Sequence, residues 1–170
     1  CAAKARETLG NMPEKVELRV CGNIIKNAKS VVVPNTGGLK GIEASVAAGL
    51  VAGKSSDNLE VLAHINEEEK ANIRKYIEVD NINVNRSNSE KQLYIDMTVF
   101  HKNDNAHIVI ADAHTNIVLI EKNAETIFKL DEQKQREDYE QAYGMLTIAD
   151  IVNFANSIDI EDVKECIERQ

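Results

Sequence analysis

The sequence has few aromatic residues and no tryptophan. Only 4% of its 170 residues are aromatic, so Ile, Val, Leu and Ala must build the core. It also has only three cysteines, Cys1, Cys21 and Cys166, and no CxxC pair. A sparse, odd number of cysteines argues against a disulfide framework and is typical of reduced thiols. We therefore expect a cytoplasmic protein.

Basic clusters and long apolar runs are also missing. The net charge is −8 at pH 7, and the Lys and Arg residues are scattered along the chain. This composition argues against nucleic acid or an anionic membrane surface as a partner. No apolar stretch approaches the roughly 18 residues that a membrane-spanning helix needs, and no signal peptide is visible.

The hydrophobic patterning predicts an α+β fold. Residues 15–20 alternate between apolar and charged side chains, as in a strand with one buried face. Helices are predicted at 1–9, 39–52, 59–65, 66–79, from 147 and from 159, and further strands at 93–100, 107–113, 117–121 and 126–130, with short polar connections that suit hairpins or short turns. A short buried extended run is predicted at 31–33, and a charged helix or linker at 131–143. Asn66 with Glu69 and Thr147 with Asp150 are expected to cap the helices that they start. This order predicts a single domain over residues 1–170, with an antiparallel sheet of about four or more strands and helices on one face.

Both ends of the sequence predict a truncated domain of a longer protein. The helix over residues 1–9 has no residue before it that could cap its first turn. The helix predicted at residues 163–170 has no Gly or Pro to end it. We therefore expect residues needed for chemistry to lie outside this segment.

A P-loop-like stretch lies at residues 48–55 but has the wrong context. A phosphate-binding loop follows a strand and opens a helix directly after its Lys-Ser pair. Here a helix is predicted before Lys54 and Ser55. We interpret Gly53 as the end of that helix, with Lys54 near the negative end of its dipole.

The first candidate site is the Gly-rich turn at residues 33–41. Such a turn before a buried helix presents backbone N–H groups that suit a carboxylate or another small anion. Asn35 and Thr36 could add hydrogen bonds, and Lys26 or Lys40 a positive charge. The alternative is a tight turn that uses Gly only for its backbone freedom. Both interpretations stay open.

The second candidate site is residues 112–116, between two predicted strands. A histidine at a strand end, here His114, could act as a general base or bind a substrate. The alternative is a hairpin turn with a structural histidine. The other histidines, His64, His101 and His107, show no polar constellation that would form a site, and no second His or Cys lies at metal-ligand spacing. No metal site is expected within this chain.

Several short motifs then form an ordered set. They are residues 23–27, 33–37, 114–118 with Ile120 and Glu121, and 146–151 with Phe154. Together they resemble the N-terminal half of the bacterial L-cysteine desulfidase family, which is related to iron–sulfur-dependent L-serine dehydratases. The resemblance covers nearly the whole chain.

The resemblance implies a lyase of amino-acid catabolism. Such an enzyme eliminates the β-substituent of L-cysteine or L-serine, releasing pyruvate and ammonia, and sulfide from cysteine. A [4Fe–4S] cluster with an open iron would act as Lewis acid. The resemblance places that cluster on a C-terminal domain that this segment lacks, so the segment alone would be inactive.

The resemblance also implies roles for individual residues. It does not decide which residue is the base, for which we take His114 as the candidate. It implies as substrate-binding residues Lys26, Asn27, Pro34, Asn35, Thr36, Gly37, Thr115 and Asn116. The partners implied are a small amino acid and the cluster-bearing domain, and a homodimer is compatible with this interpretation. The alternative function is an amino-acid-binding or regulatory domain without catalysis.

Overall fold

The computed structural model describes residues 1–131, 144 and 147–168. The chain divides into two compact units, Cys1–Leu130 and Asp131–Gln170. Whether they form one domain, as the sequence predicts, stays a prediction. The charged helix or linker predicted at 131–143 lies, beyond its first residue, outside the described residues.

The first unit contains the sheet and most of the helices. Its elements are α1 Ala2–Leu9, β1 Lys15–Val20, α2 Gly22–Ala28, α3 Ile42–Val51, a 3-10 helix Ser55–Glu60, α4 Glu67–Glu78, β2 Ile82–Arg86, β3 Tyr94–His101, β4 Asp104–Ala111, β5 Ile117–Lys122 and β6 Glu125–Lys129. The second unit contains α5 Ile148–Ser157 and α6 Ile160–Glu168. The predicted α+β class is confirmed.

The six strands form one mixed sheet in the order β2-β1-β3-β4-β5-β6. The β1–β3, β3–β4, β4–β5 and β5–β6 pairs are antiparallel, and the last three are joined by short connections, as expected. The β1–β2 pair is parallel, which the sequence did not predict. The three α-helices and the 3-10 helix between these two strands form a crossover long enough to return the chain in the same direction.

One face of the sheet forms the core. Val16, Leu18 and Val20 of β1 are almost fully buried, and their partners on β3 include Met97 and Val99. Helix α1 packs on this face against β3, β4 and β5, and α3 packs against α1 and α4. The alternation predicted for β1 is therefore confirmed.

Arg6 of α1 caps the C-terminal end of helix α3. Its guanidinium donates hydrogen bonds to the carbonyl oxygens of Val51 and Gly53 at 3.1 and 3.0 Å. These carbonyls lack partners within the helix, and a cation is favourable at that end of the helix dipole. The P-loop-like stretch is thus the last turn of α3 and the start of the 3-10 helix. A helix does precede Lys54, as predicted, but Arg6 rather than Lys54 contacts the helix end.

Helix α4 starts as the sequence predicts. The backbone N–H of Glu69 donates to the Asn66 side chain, and the Glu69 carboxylate accepts from the Asn66 backbone, each at 2.9 Å. Two neighbouring predictions fail. The extended run at 31–33 forms only one isolated bridge, Val32 with Lys40, and the helix predicted at 59–65 is replaced by the shorter 3-10 helix.

None of the helices formed by the described residues has the length and apolar character to span a bilayer.

Candidate functional site

A cleft opens where α2 and the following loop face the ends of β3 and β4. Its volume is about 560 Å³, within the range of small-molecule sites. Three groups of described residues line it: Asn23, Ile24, Asn27 and Ala28 of α2; the loop at 31–34, with Ser45 and Leu62; and Gln92, Leu93, Asp112 and His114. We call this the 23–114 cleft.

A smaller apolar chamber adjoins this cleft. It has a volume of about 320 Å³ and shares with the cleft Ile24, Ala28, Ser45 and His114. Its remaining lining is Cys1, Ala2, Leu18, Val20, Ile42, Val46, Ile95 and Met97. The chamber is thus lined mainly by apolar side chains, whereas the cleft adds the polar side chains of Asn23, Asn27, Gln92 and Asp112.

The fold brings parts of both predicted motifs to this cleft. Asn27 from the motif at 23–27 and Pro34 from the Gly-rich turn lie in the same lining as His114 from the segment at 112–116, although at least 80 positions separate them from His114 in the sequence. The side chain of His114 is exposed to solvent. It is thus accessible to a ligand. It also lies in the turn that connects the antiparallel strands β4 and β5, so both interpretations of this segment stay open.

The polar residues of the 35–38 turn have structural contacts instead. Thr36 is fully buried, and its hydroxyl donates to the carbonyl oxygen of Val33 at 2.7 Å. The amide of Asn35 donates to the carbonyls of Leu62 and Ala63 at 2.9 and 3.3 Å. Gly37 has a φ of 73°, which suits glycine. These contacts match the tight-turn alternative.

Three further predicted site residues lie outside the cleft lining. Lys26 is exposed on α2, and Thr115 is exposed in the turn after β4. Asn116 donates its amide to the carbonyl of Ala111 at 3.0 Å, which closes that turn. The substrate-binding roles that the resemblance implied for these residues stay predictions.

Two polar lining residues had no predicted role. Asn23 donates its amide to the carbonyl of Gln92 at 3.2 Å, and the thiol of Cys21 reaches the same carbonyl at 3.1 Å. These contacts hold the segment before β3 against the start of α2. Asn23 belongs to the motif at residues 23–27, which could have drawn attention to it in the sequence. No sequence pattern marked Gln92.

A second polar cluster lies on the opposite face of the sheet. His107 Nε2 is 3.0 Å from Asp96 Oδ1, and His107 Nδ1 is 2.8 Å from Glu121 Oε2. The expectation that His107 lacks polar neighbours is therefore wrong. Its partners come from the adjacent strands β3 and β5, and sheet register rather than sequence spacing places them.

The hydrogen bonds within this cluster shift the pKa values of all three side chains. The hydrogen bond to Asp96 chiefly raises the pKa of His107, Glu121 adds to the rise, and partial burial opposes it. The hydrogen bond from His107 is also the largest cause lowering the pKa of Asp96 and of Glu121. The histidine is thus held as a cation between two anions.

The described part of the chain offers no group of three His, Cys, Asp or Glu side chains that could hold a metal ion. Cys1, Cys21 and Cys166 are all free thiols. These residues do not fit an iron–sulfur cluster, whose irons need several converging thiolates.

The chain is similar to UPF0597 proteins. It is 47% identical to one from Desulfitobacterium hafniense strain Y51, 39% to one from Finegoldia magna and 38% to one from Lachnoclostridium phytofermentans. Each match covers 99% of this chain but only 39 or 40% of the relative. The chain therefore spans about two fifths of the length of these relatives. No family model and no solved structure matches it.

These matches correct the predicted resemblance. Identification as the N-terminal half of an L-cysteine desulfidase, related to iron–sulfur L-serine dehydratases, is wrong, because the relatives that align over nearly the whole chain are UPF0597 proteins. The motifs behind it were short, and turns of this kind recur in unrelated α+β folds for backbone reasons. By sequence, this chain is similar to UPF0597 proteins along 99% of its length.

Proposed function

We propose that the 23–114 cleft binds a small α-amino acid, and that in a longer protein it forms half of a lyase active site. The reaction is the elimination of the β-substituent of L-cysteine or L-serine, giving pyruvate and ammonia, with sulfide from cysteine. One observation carries the proposal: an exposed histidine and several side-chain amides line a cleft of suitable size.

His114 is the proposed base. A histidine side chain can accept a proton near neutral pH. His114 lines both the cleft and the adjoining chamber, which suits a base acting on the α-carbon of an amino acid bound there. The proton moves from that carbon to an imidazole nitrogen, and the leaving group departs from the β-carbon with the electron pair of its bond. The enamine that remains tautomerises to an imine, which water hydrolyses to pyruvate and ammonia. Asn27 in the same lining has amide N–H groups that suit the substrate carboxylate.

A [4Fe–4S] cluster belongs to this proposal as a cofactor bound by residues outside this chain. The chain spans only about two fifths of its relatives' length, and its described residues do not provide cluster ligands. The domain that carries the cluster is the proposed partner of the cleft.

The alternative function is an amino-acid-binding or regulatory domain. It is favoured by the cleft being formed wholly within one unit of this chain. A ligand could therefore bind without residues from elsewhere. The two functions differ in whether the bound amino acid is consumed.

Two measurements separate these functions. The first is anaerobic turnover of L-cysteine and L-serine by the protein extended to its relatives' length, followed as pyruvate. We expect His114→Ala to abolish turnover while calorimetric binding of L-serine remains, and the exposed His64→Ala to change neither. Binding with no turnover by the reconstituted, extended protein would instead establish the regulatory function, and an absence of both would end the proposal.

A further inference from the structure

Asp112 gives the 23–114 cleft its negative charge. It is the one carboxylate among the described lining residues, and the other polar side chains there are amides, a hydroxyl and the imidazole of His114. Its side chain is 56% exposed, so a ligand can reach it. An ionised carboxylate accepts hydrogen bonds and cannot donate them, which suits an ammonium group.

The backbone holds Asp112 in a fixed orientation. Its φ is 68°, in the left-handed region that Asp and Asn enter more readily than other side-chain-bearing residues. Its N–H donates to the carbonyl oxygen of Leu93 at 3.0 Å, and Leu93 itself lines the cleft. The carboxylate therefore projects from a turn anchored to the cleft wall.

Lys91 lies beside this carboxylate. Its Nζ is 2.5 Å from Asp112 Oδ2, and its side chain is 35% exposed. Ion pairs between exposed groups contribute little net free energy, so a ligand that offers both charges can separate the pair at small cost. An α-amino acid carries an ammonium and a carboxylate on one carbon, which matches two opposite charges held side by side.

We propose that Asp112 and Lys91 together recognise the charged end of the amino acid. Asp112 binds its ammonium group and Lys91 binds its carboxylate, replacing the ion pair between the two side chains. This inference rests on the proposed function, because it assigns a subsite within the same cleft. It gives a role to Asp112, which lies in the candidate segment 112–116, and to the adjacent Lys91, which the sequence did not indicate.

Three ligands test the proposed roles of Asp112 and Lys91 separately. L-serine carries both charges, 3-hydroxypropanoate lacks the ammonium and ethanolamine lacks the carboxylate. The variants are Asp112→Asn and Lys91→Gln. A matched control for the first is Asp80→Asn, since Asp80 also has a positive φ, 54°, and lies outside the cleft. For the second the control is Lys54→Gln, an exposed lysine away from the cleft.

If the inference holds, calorimetry shows that each variant weakens the binding of a different pair of the three ligands. Asp112→Asn weakens L-serine and ethanolamine about tenfold or more, as expected for a lost charge-assisted hydrogen bond, and leaves 3-hydroxypropanoate unchanged. Lys91→Gln weakens L-serine and 3-hydroxypropanoate but not ethanolamine, and both controls bind like the wild type.

Two results would overturn this inference, and they differ in whether the proposed function fails with it. In the first, L-serine binds the wild type, but either variant weakens the binding of all three ligands equally or of none. The proposed roles of Asp112 and Lys91 then fail, while the proposal that the cleft binds an amino acid remains. If the wild type binds neither L-serine nor L-cysteine, the proposed function fails and the inference fails with it.

Discussion

Replacing His107 by glutamine is expected to alter how the stability of this protein depends on pH. Both ring nitrogens of His107 face carboxylate oxygens, Asp96 at 3.0 Å and Glu121 at 2.8 Å. Ionised carboxylates only accept hydrogen bonds, so both nitrogens must donate, and only the protonated imidazole can do so. Glutamine keeps one amide donor but removes the positive charge.

The pKa shifts set the pH window of the effect. The pKa of His107 is raised above 6.5, so its contribution is fully present below that pH and is lost as the pH rises through the raised value. The pKa values of Asp96 and Glu121 are lowered from 3.8 and 4.5, so their contributions are present above those values and disappear as the pH falls through the lowered ones. The cluster therefore stabilises the fold most from about pH 5 to about pH 6.5.

The magnitude follows from hydrogen bonding and exposure. A hydrogen bond to a charged group contributes about 1.5–3 kcal/mol, and a fully exposed ion pair about 0–1 kcal/mol. The side chains of Asp96, His107 and Glu121 are 18, 24 and 27% exposed, between these limits. We expect His107→Gln to lower the free energy of unfolding by about 1–2 kcal/mol within this window, or roughly 2–8 °C in Tm for a chain of this length.

Urea unfolding followed by circular dichroism at about pH 5.5 and about pH 8.5 checks this. The difference in unfolding free energy between wild type and His107→Gln should shrink toward the higher pH, because wild-type His107 loses its charge as the pH rises through its raised pKa. His64→Gln, at an exposed loop histidine, is the control and should give no difference at either pH. A wild-type-to-variant difference of equal size at both pH values would refute the argument.

Three further substitutions test the packing and capping described above. Gly53→Ala should destabilise the fold by about 1–3 kcal/mol, because its Cβ would lie 2.5 Å from the carbonyl oxygen of Gly49. Gly22→Ala, whose Cβ would meet nothing closer than 3.8 Å, serves as its control. Thr36→Val should cost about 1–2 kcal/mol by removing a buried hydroxyl and its hydrogen bond. Asn66→Ala should cost about 1 kcal/mol through the lost cap of α4. Urea unfolding measures all four, and a destabilised Gly22→Ala or an unchanged Gly53→Ala would contradict the packing account.

Local chemistry made several elements predictable. The alternation at 15–20 is a strand with one buried face, and the Asn66 and Glu69 pair caps α4 as expected. Thr147 and Asp150 form a second capping box at the start of α5. These features depend on residues within a few positions of each other, so sequence spacing is enough to predict them.

The candidate site was predictable only in part. His114, Asn27 and Pro34 were expected to be functional and do lie in one cleft, but their roles stay predictions. Thr36 and Asn35 were expected to face a substrate, yet they hydrogen-bond to nearby carbonyls. A polar side chain in a Gly-rich turn can satisfy either the backbone or a ligand, and the sequence does not distinguish the two.

The sequence by itself determined the α+β class, the antiparallel hairpins and the helix caps, because each follows from periodicity or from contacts between near neighbours. Tertiary structure alone decided that β2 pairs parallel with β1, that His107 lies between Asp96 and Glu121, and that Asp112 faces α2 across a cleft. These arrangements join residues from separate strands and helices. Sheet register and helix packing bring them together, and neither is encoded in the spacing of the residues involved.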